Sequence, residues 1–537
     1  MEESYICWFW LIISYTLVFF LFKVLVYLWW RPRGIQLHFF NQGIKGPQYH
    51  FLLGNTKEIV GLMSKASSNP MPLSHNILPR VLSFYHHWKK IYGGTFLVWF
   101  GPTARLTISD PVLIREVLNQ KSDLFEKTDP PPHVRKLEGD GLLTLKGEKW
   151  VHHRKIIAPA FYQQNLKLLI PIMGKSTEKM LEKWLEMSNS AGTVEIEVSK
   201  WFQTLTEEII THTAFGSCSY EDGKSIFELQ AQQMLLSIDS YSKVLIPGFR
   251  FFPSRKNRVS WRLDKEIKKS LKKLITKRIN KAHNNNNSPM SDECPKDLLE
   301  TMIKASMMRE EANRGGLNST KCSLECASTT ITVDDIVEEC KTMFFAGKHT
   351  TSALLTWSTI LLAMHPHWQE LAREEVLTAC GARDVPTRDD VANLKTLGMI
   401  LNESLRLYPP VVAILRRAKF DVDLGGCTIP CGTELLLPIL PVHHDQSLWG
   451  HDATEFNPAR FAGGVAHAAK HPAAFMPFGL GGRRCVGQNL AILQAKLAIA
   501  MILQRFSFDL APSYQHAPTV VMLLNPQHGA PIMFRKL

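Results

Sequence analysis

The sequence lacks a dense cysteine framework. Its 10 cysteines, Cys7, Cys218, Cys294, Cys322, Cys326, Cys340, Cys380, Cys427, Cys431 and Cys485, are scattered over 537 residues, which excludes a small disulfide scaffold and favours reduced thiols. Cys322 with Cys326 and Cys427 with Cys431 have a zinc-like separation, but neither has a second Cys or His pair nearby to complete four ligands. Charged residues reach only 21% against 45% hydrophobic, a balance that excludes a disordered chain. Gly347-Lys348 has no glycine five residues before it and His349 after it, so it is not a phosphate loop. The net charge of +13 favours contact with something acidic, whether nucleic acid, an anionic membrane surface or an acidic protein; a nucleic-acid partner is not expected, since no base-stacking or nucleic-acid motif accompanies the basic run Arg255–Lys281.

Charge is also missing between Tyr5 and Phe22, and the apolar character resumes after Lys23 as far as Trp30. Spanning a bilayer takes about 20 apolar residues. A cleaved signal peptide has a basic leader and a shorter apolar stretch, whereas Glu2 and Glu3 lead here and Trp29-Trp30-Arg31 follows. Residues 1–30 are therefore expected to form a single transmembrane anchor. Lys23, Arg31 and Arg33 on its carboxyl side place the remainder in the cytosol. Pro32, Gly34, Gly43, Gly46 and Pro47 punctuate residues 31–50, read as a hinge before a domain spanning 51–537.

That domain reads as mainly α with a minor β-sheet region. Helical periodicity covers 165–190, 225–245, 259–283 and 332–364, and short extended runs lie near 95–108 and 415–440. The polar composition between His283 and Ile331 marks a surface connection that interrupts the helices around Leu298–Ser306. Asn318-Ser319-Thr320 is a glycosylation sequon made silent by the cytosolic side. The basic run Arg255–Lys281, interleaved with Trp261, Leu263, Ile267, Leu271, Leu274 and Ile275, reads as a solvated helix face, with contact to a membrane surface or an acidic partner as the alternative.

The chemistry concentrates in Pro477-Phe478-Gly479-Leu480-Gly481-Gly482-Arg483-Arg484-Cys485-Val486-Gly487. Glycines let backbone approach a bulky ligand, and Cys485 stands just before a helical run, where free N–H groups favour a thiolate. Arg483 can pair with a carboxylate of a cofactor. Trp150 and Arg154 share a helical face at i and i+4, as do Glu403 and Arg406 at i and i+3. Thr332-Val333-Asp334-Asp335 caps a long helix ending before Pro366. Its middle, Phe344-Phe345-Ala346-Gly347-Lys348-His349-Thr350-Thr351, offers small residues for a flat cofactor and a hydroxyl at Thr350.

Phe478, Gly481, Arg483, Cys485 and Gly487 match every fixed position of Phe-x-x-Gly-x-Arg-x-Cys-x-Gly, so the chain resembles the cytochrome P-450 superfamily over nearly its whole length after the anchor. The resemblance implies the corresponding fold behind a transmembrane helix, with haem b (iron protoporphyrin IX) held by Cys485. It implies propionate partners at Trp150, Arg154, Arg416 and Arg483, and a structural charge network of Glu403, Arg406 and Arg460. Thr350 and His349 take the family's oxygen-activation positions, but His349 replaces the usual acid and brings different charge and reach. Phe125–Leu145, Val411–Leu415 and Val520–Leu524 are expected to line an apolar pocket for a lipophilic substrate. The implied reaction is hydroxylation with O2 and electrons from NADPH-cytochrome P-450 reductase at the endoplasmic reticulum membrane.

Ile226–Met234, Ile246–Pro253 and Pro526–Pro531 are similar to plant members, most of all the brassinosteroid-inactivating carbon-26 hydroxylases. Gibberellin, cytokinin and other terpenoid hydroxylases share part of the pattern. A haem-thiolate isomerase or dehydratase, which needs no reductase, would use the same fold. A non-enzymatic haem sensor or membrane scaffold is the reading from a different class, and the complete set of pocket residues and redox ligand opposes it.

Overall fold

The computed structural model describes residues 2–216, 220–241, 252–284, 297–314, 331–381 and 383–537. Cys218, Cys294, Cys322, Cys326, the sequon at Asn318 and most of Ile246–Pro253 fall outside those residues.

The uncharged aromatic run forms helix α1 (Glu2–Leu25), which passes through a π-helical turn, Val26–Trp30, into α2 (Arg31–Asn41). Among the described residues this is the one helix long and apolar enough to cross a membrane, and its apolar part is unburied. Pro32 has no N–H for the carbonyl of Leu28 and its ring crowds that carbonyl. The wide turn accommodates the ring, and the Tyr49 hydroxyl donates to Leu28 O at 2.5 Å. Residues 31–50, expected as a hinge, are thus helical as far as Asn41. The far end of α2 is tied to the strand Cys427–Ile429: Thr428 N donates to Gln42 Oε1 at 2.7 Å, and the His38 ring lies 2.9 Å from Thr428 O.

The mainly helical class with minor sheet is what the chain adopts. The helices used below are α3 (Pro132–Glu138), α4 (Gly147–Ile157), α5 (Ile170–Glu186), α6 (Val198–Phe215), α7 (Tyr220–Tyr241), α8 (Arg255–Asn284), α9 (Val333–Met364), α10 (Lys395–Leu407) and α11 (Gln488–Arg505). In α9 the expected cap is present: Thr332 Oγ1 accepts from Asp335 N, while Asp335 accepts from Thr332 N. Helix α9 runs through the helical core with Trp184, Phe202, Leu401 and Leu497 buried around it. Helix α8 buries Leu263, Ile267, Leu271, Leu274 and Ile275 and turns most of its Lys and Arg outward, a solvated basic face. The supposed surface connection contains a helix, Leu298–Arg314, whose Leu299, Met302 and Ile303 are buried. Its apolar spacing of three and four outweighs the polar residues around it.

A five-stranded sheet built from β1 (Thr95–Phe100), β2 (Thr103–Ile108), β3 (Phe125–Glu126), β4 (Ile414–Ala418) and β5 (Glu434–Leu437) has the order β1-β2-β5-β4-β3. Only β2 and β5 pair in parallel, with Arg105 opposite Glu434. Glu434 takes Arg105 at 2.7 Å and Arg417 at 2.9 Å. A second core, with Trp99, Leu106, Leu437, Trp449 and Phe461, lies behind this sheet. The sheet carries Arg416 on β4, and the loop after β3 begins at Lys127. Both reach the site described next.

Candidate functional site

Residues Phe478–Gly487 form a tight loop ahead of α11. Cys485 N donates to Phe478 O at 2.9 Å, and Arg484 N to Gly481 O at 3.1 Å. Gly481 has φ +69°, and a Cβ there would overlap the Leu118 carbonyl, so this glycine lets the loop sit on a neighbouring backbone rather than on a ligand. Cys485 is enclosed by the fold, and burial pushes its thiol above the ordinary value, offset by the Gly487 N–H and by the charges of Arg154, Arg484 and Lys127. Yet the residue itself opens onto free space. The helix amino terminus was expected to favour a thiolate, but in the protein alone burial outweighs it. A bound cation would supply the missing stabilisation.

Positive charge gathers beside this loop. Arg483 donates to Leu145 O at 2.9 Å, and its guanidinium lies 4.3 Å from the Trp150 ring centroid. Arg416 is 7% exposed and donates to Leu415 O at 2.8 Å. Burial, then the charge of Arg483, pulls Arg416 down to about 10. Burial lowers Arg154 as well, with Cys485 opposing. Lys127, which no motif signalled, donates to Leu143 O and is lowered to about 7 by burial, with Arg416 and Arg483 adding to the effect. Among the described residues the Glu138 carboxyl, raised by burial, faces Lys127, and Cys485 acts on Lys127 in the same sense. Among the described residues none of Arg154, Arg416 and Arg483 has a carboxylate ion pair. Like charges gathered in a partly buried space are costly unless an anion joins them. A ligand with carboxylates and a soft-metal centre fits this donor set.

Helix α9 is buried from Ser352 to Ala363 and from Glu339 to Phe345, but Ala346–Thr350 are only half-buried. Thr350 Oγ1 donates to Ala346 O at 2.7 Å. Burial, then Lys348, depresses His349 to about 3, so its imidazole is neutral, and its ring lies 5.5 Å from that of Phe345. Lys348 is engaged by Glu207 on α6 at 2.6 Å. Gly347, expected to admit a flat cofactor, faces α6 instead: a Cβ would lie 2.7 Å from Ile210 side-chain atoms. Its small size serves the α6–α9 crossing.

Glu403, Arg406 and Arg460 are brought together. Glu403 holds Arg406 through two 2.7 Å bonds and Arg460 at 3.3 Å, and Glu403 and Arg406 are both 0% exposed. Asp452, a fourth member not read from sequence, takes Arg460 at 2.7 Å. Arg406 also donates to His443 O at 2.8 Å, and the His443 ring accepts from Met476 N at 3.1 Å, just upstream of the cysteine loop. The network therefore supports the loop mechanically. Of the expected pocket walls, two are joined: Leu524 N donates to Pro410 O at 2.9 Å, beside Val411–Leu415, and Trp357 of α9 donates to Leu524 O at 3.0 Å.

The family model "Cytochrome P450" matches residues 70–532. Cytochrome P450 734A1 of Arabidopsis thaliana is 61% identical over 540 residues, covering 100% of this chain and 99% of that protein. Cytochrome P450 734A6 of Oryza sativa subsp. japonica is 58% identical over 519 residues, covering 96% and 93%. Secologanin synthase 2 of Catharanthus roseus is 40% identical over 515 residues, covering 96% and 94%.

Proposed function

The chain belongs to the cytochrome P450 family as a haem-thiolate monooxygenase, and on that premise we infer that Cys485 holds the haem iron and that the substrate is a brassinosteroid hydroxylated on its side chain. The observation that carries the iron assignment is the pairing of an enclosed yet open thiol at Cys485 with Arg154, Arg416 and Arg483, nearby cations that among the described residues form no ion pair with a carboxylate. Arg154, Arg416 and Arg483 would bind the propionates by charge-assisted hydrogen bonds, with the Trp150 indole N–H as a further donor. Lys127 joins them.

When bound, haem supplies oxygen activation and C–H oxidation, drawing electrons from NADPH-cytochrome P450 reductase. The chain's own residues bind, orient and move protons. Thr350 Oγ1 donates to Ala346 O, which leaves its oxygen lone pairs free to accept from a water. His349, neutral across the working pH range, carries one N–H and one lone pair and passes a proton by exchanging them, without the negative charge of a carboxylate. Apolar side chains of Phe125–Leu145, Val411–Leu415 and Val520–Leu524 exclude water and select a lipophilic skeleton by shape. The α1–α2 helix holds this site against the endoplasmic reticulum membrane on the cytosolic side, with Arg31 and Arg33 after the span.

The steroid assignment is supported by the 61% identity to cytochrome P450 734A1 and by the segments Ile226–Met234 and Pro526–Pro531. The full chain, reconstituted with reductase and NADPH, should convert brassinosteroids to hydroxylated products identifiable by mass spectrometry. Turnover of gibberellins, cytokinins or other terpenoids without any steroid product would replace the substrate. Product formation without O2 would replace the reaction with isomerisation or dehydration. A reduced carbonyl complex lacking the red-shifted thiolate band would remove the iron assignment.

A further inference from the structure

One carboxylate on α9 touches both the helix that carries Arg154 and the turn whose carbonyls accept from Arg483 and Lys127. Glu339 is fully buried, and its two oxygens serve two different partners. Glu339 Oε1 lies 2.6 Å from His153 Nδ1 on α4, with the side chains 0% and 2% exposed. Glu339 Oε2 accepts from Leu142 N at 3.0 Å.

The first contact sets α4. His153 stands between Trp150 and Arg154 on that helix, so fixing its ring fixes the rotation that presents both residues to the site. One turn earlier, Lys149 meets Asp335 of α9 at 2.7 Å, a parallel but exposed rung. The second contact sets the segment after α3. Leu142 opens a turn closed by Leu145 N donating to Gly141 O at 2.9 Å. The carbonyls of that turn then hold the cations: Leu145 O accepts from Arg483, and Leu143 O from Lys127. Neighbouring residues of α9 reinforce the same segment, since Glu338 accepts from Asp140 N at 2.9 Å and Thr342 donates to Glu138 O at 2.7 Å. Gly141 has no side chain to keep the turn off α9, where a Cβ would overlap Thr342 Oγ1 and Glu339 Oε2.

We propose that Glu339 is a positioning residue for cofactor binding, ordering α4 and the Gly141–Leu145 turn together so that Trp150, Arg154, Lys127 and Arg483 converge. The proposal rests on the haem-thiolate reading of this site. A buried carboxylate is costly and is retained where its hydrogen bonds organise surrounding groups. The His153 and Glu339 side chains are buried against each other, so their effect passes through the residues that would hold the cofactor.

The test uses the full-length holoprotein and follows haem transfer to an excess of apomyoglobin, alongside the spectrum of the reduced carbonyl complex. Glu339→Gln keeps an acceptor for Leu142 N but loses the charge facing His153. Because hydrogen bonds to charged groups are the stronger class, it should release haem about tenfold faster and lower the share of the red-shifted thiolate band. Glu339→Ala should release it faster still. The exchanged pair H153E with E339H should recover most of the parent's retention. Leu362→Ala, a cavity in the same helix away from the site, supplies a variant of comparable thermal stability. Haem release from Glu339→Gln within about twofold of the parent, or equal acceleration in Leu362→Ala, would overturn the proposal, since a purely structural role moves both variants alike. Failure of the underlying haem-thiolate reading looks different, because the parent itself would then lack the thiolate band.

Discussion

Replacing Arg416 by Met should move the stability of the haem-free fold and the affinity for haem in opposite directions. Arg416 is pulled well below its ordinary value, to about 10, by burial and by Arg483. At roughly 1.4 kcal/mol per pKa unit, keeping that charge in place costs the haem-free protein up to about 3 kcal/mol. Methionine fills much of the same volume without the charge, and Arg416 gives up only one hydrogen bond, to Leu415 O. The haem-free variant should therefore be more stable than the parent by about 1–3 kcal/mol, read as a higher midpoint at unchanged slope in urea unfolding. Haem loses a charge-assisted partner worth about 1.5–3 kcal/mol, so its dissociation constant should rise roughly tenfold to a hundredfold, measured by competition with apomyoglobin. A variant that is less stable when haem-free and binds haem as tightly as the parent would refute the reading of Arg416 as an anion-binding cation.

Acidification should unfold the protein early. His75, His443 and His444 are each lowered to about 3 by burial, so between pH 6.5 and 3 the unfolded chain binds more protons than the folded one and stability falls with pH, by up to about 2 kcal/mol per group at pH 5. Melting temperatures that stay flat from pH 7 to 5 would contradict this burial. Gly347→Ala drives a methyl toward Ile210 and should cost about 1–3 kcal/mol by thermal unfolding, with the added change Ile210→Ala restoring part of it; an unchanged melting temperature would show that the α6–α9 crossing is looser than described. His349→Ala removes the neutral imidazole while leaving the Thr350 hydrogen bond in place. It should slow substrate turnover at least tenfold with little change in substrate binding, and equal turnover would assign proton delivery to Thr350 and water alone.

Several features were legible because they are local. The cap of α9 is written in Thr332 and Asp335, three residues apart, and the uncharged run after Glu3 becomes one long helix. The cysteine loop is a contiguous motif. Misreadings arose where a residue's neighbour is remote in sequence. Gly347 looked like room for a ligand but is room for Ile210 on α6, and Gly481 makes way for Leu118. Pro32 looked like a break, but a π-turn and the Tyr49 hydroxyl carry the helix past it. The helix Leu298–Arg314 was obscured by the polar stretches that flank it.

By itself the sequence determined the family, the anchor, the iron-ligand candidate and the oxidative class of the chemistry, since each depends on residue types at fixed short spacing. Only the tertiary structure decided which charges share a space. Lys127 carries no motif, and Glu339 and His153 are separated by 186 residues. Their roles depend on burial and on distances of a few ångströms, which folding sets by packing α4, α9, the sheet and the Gly141–Leu145 turn beside the cysteine loop.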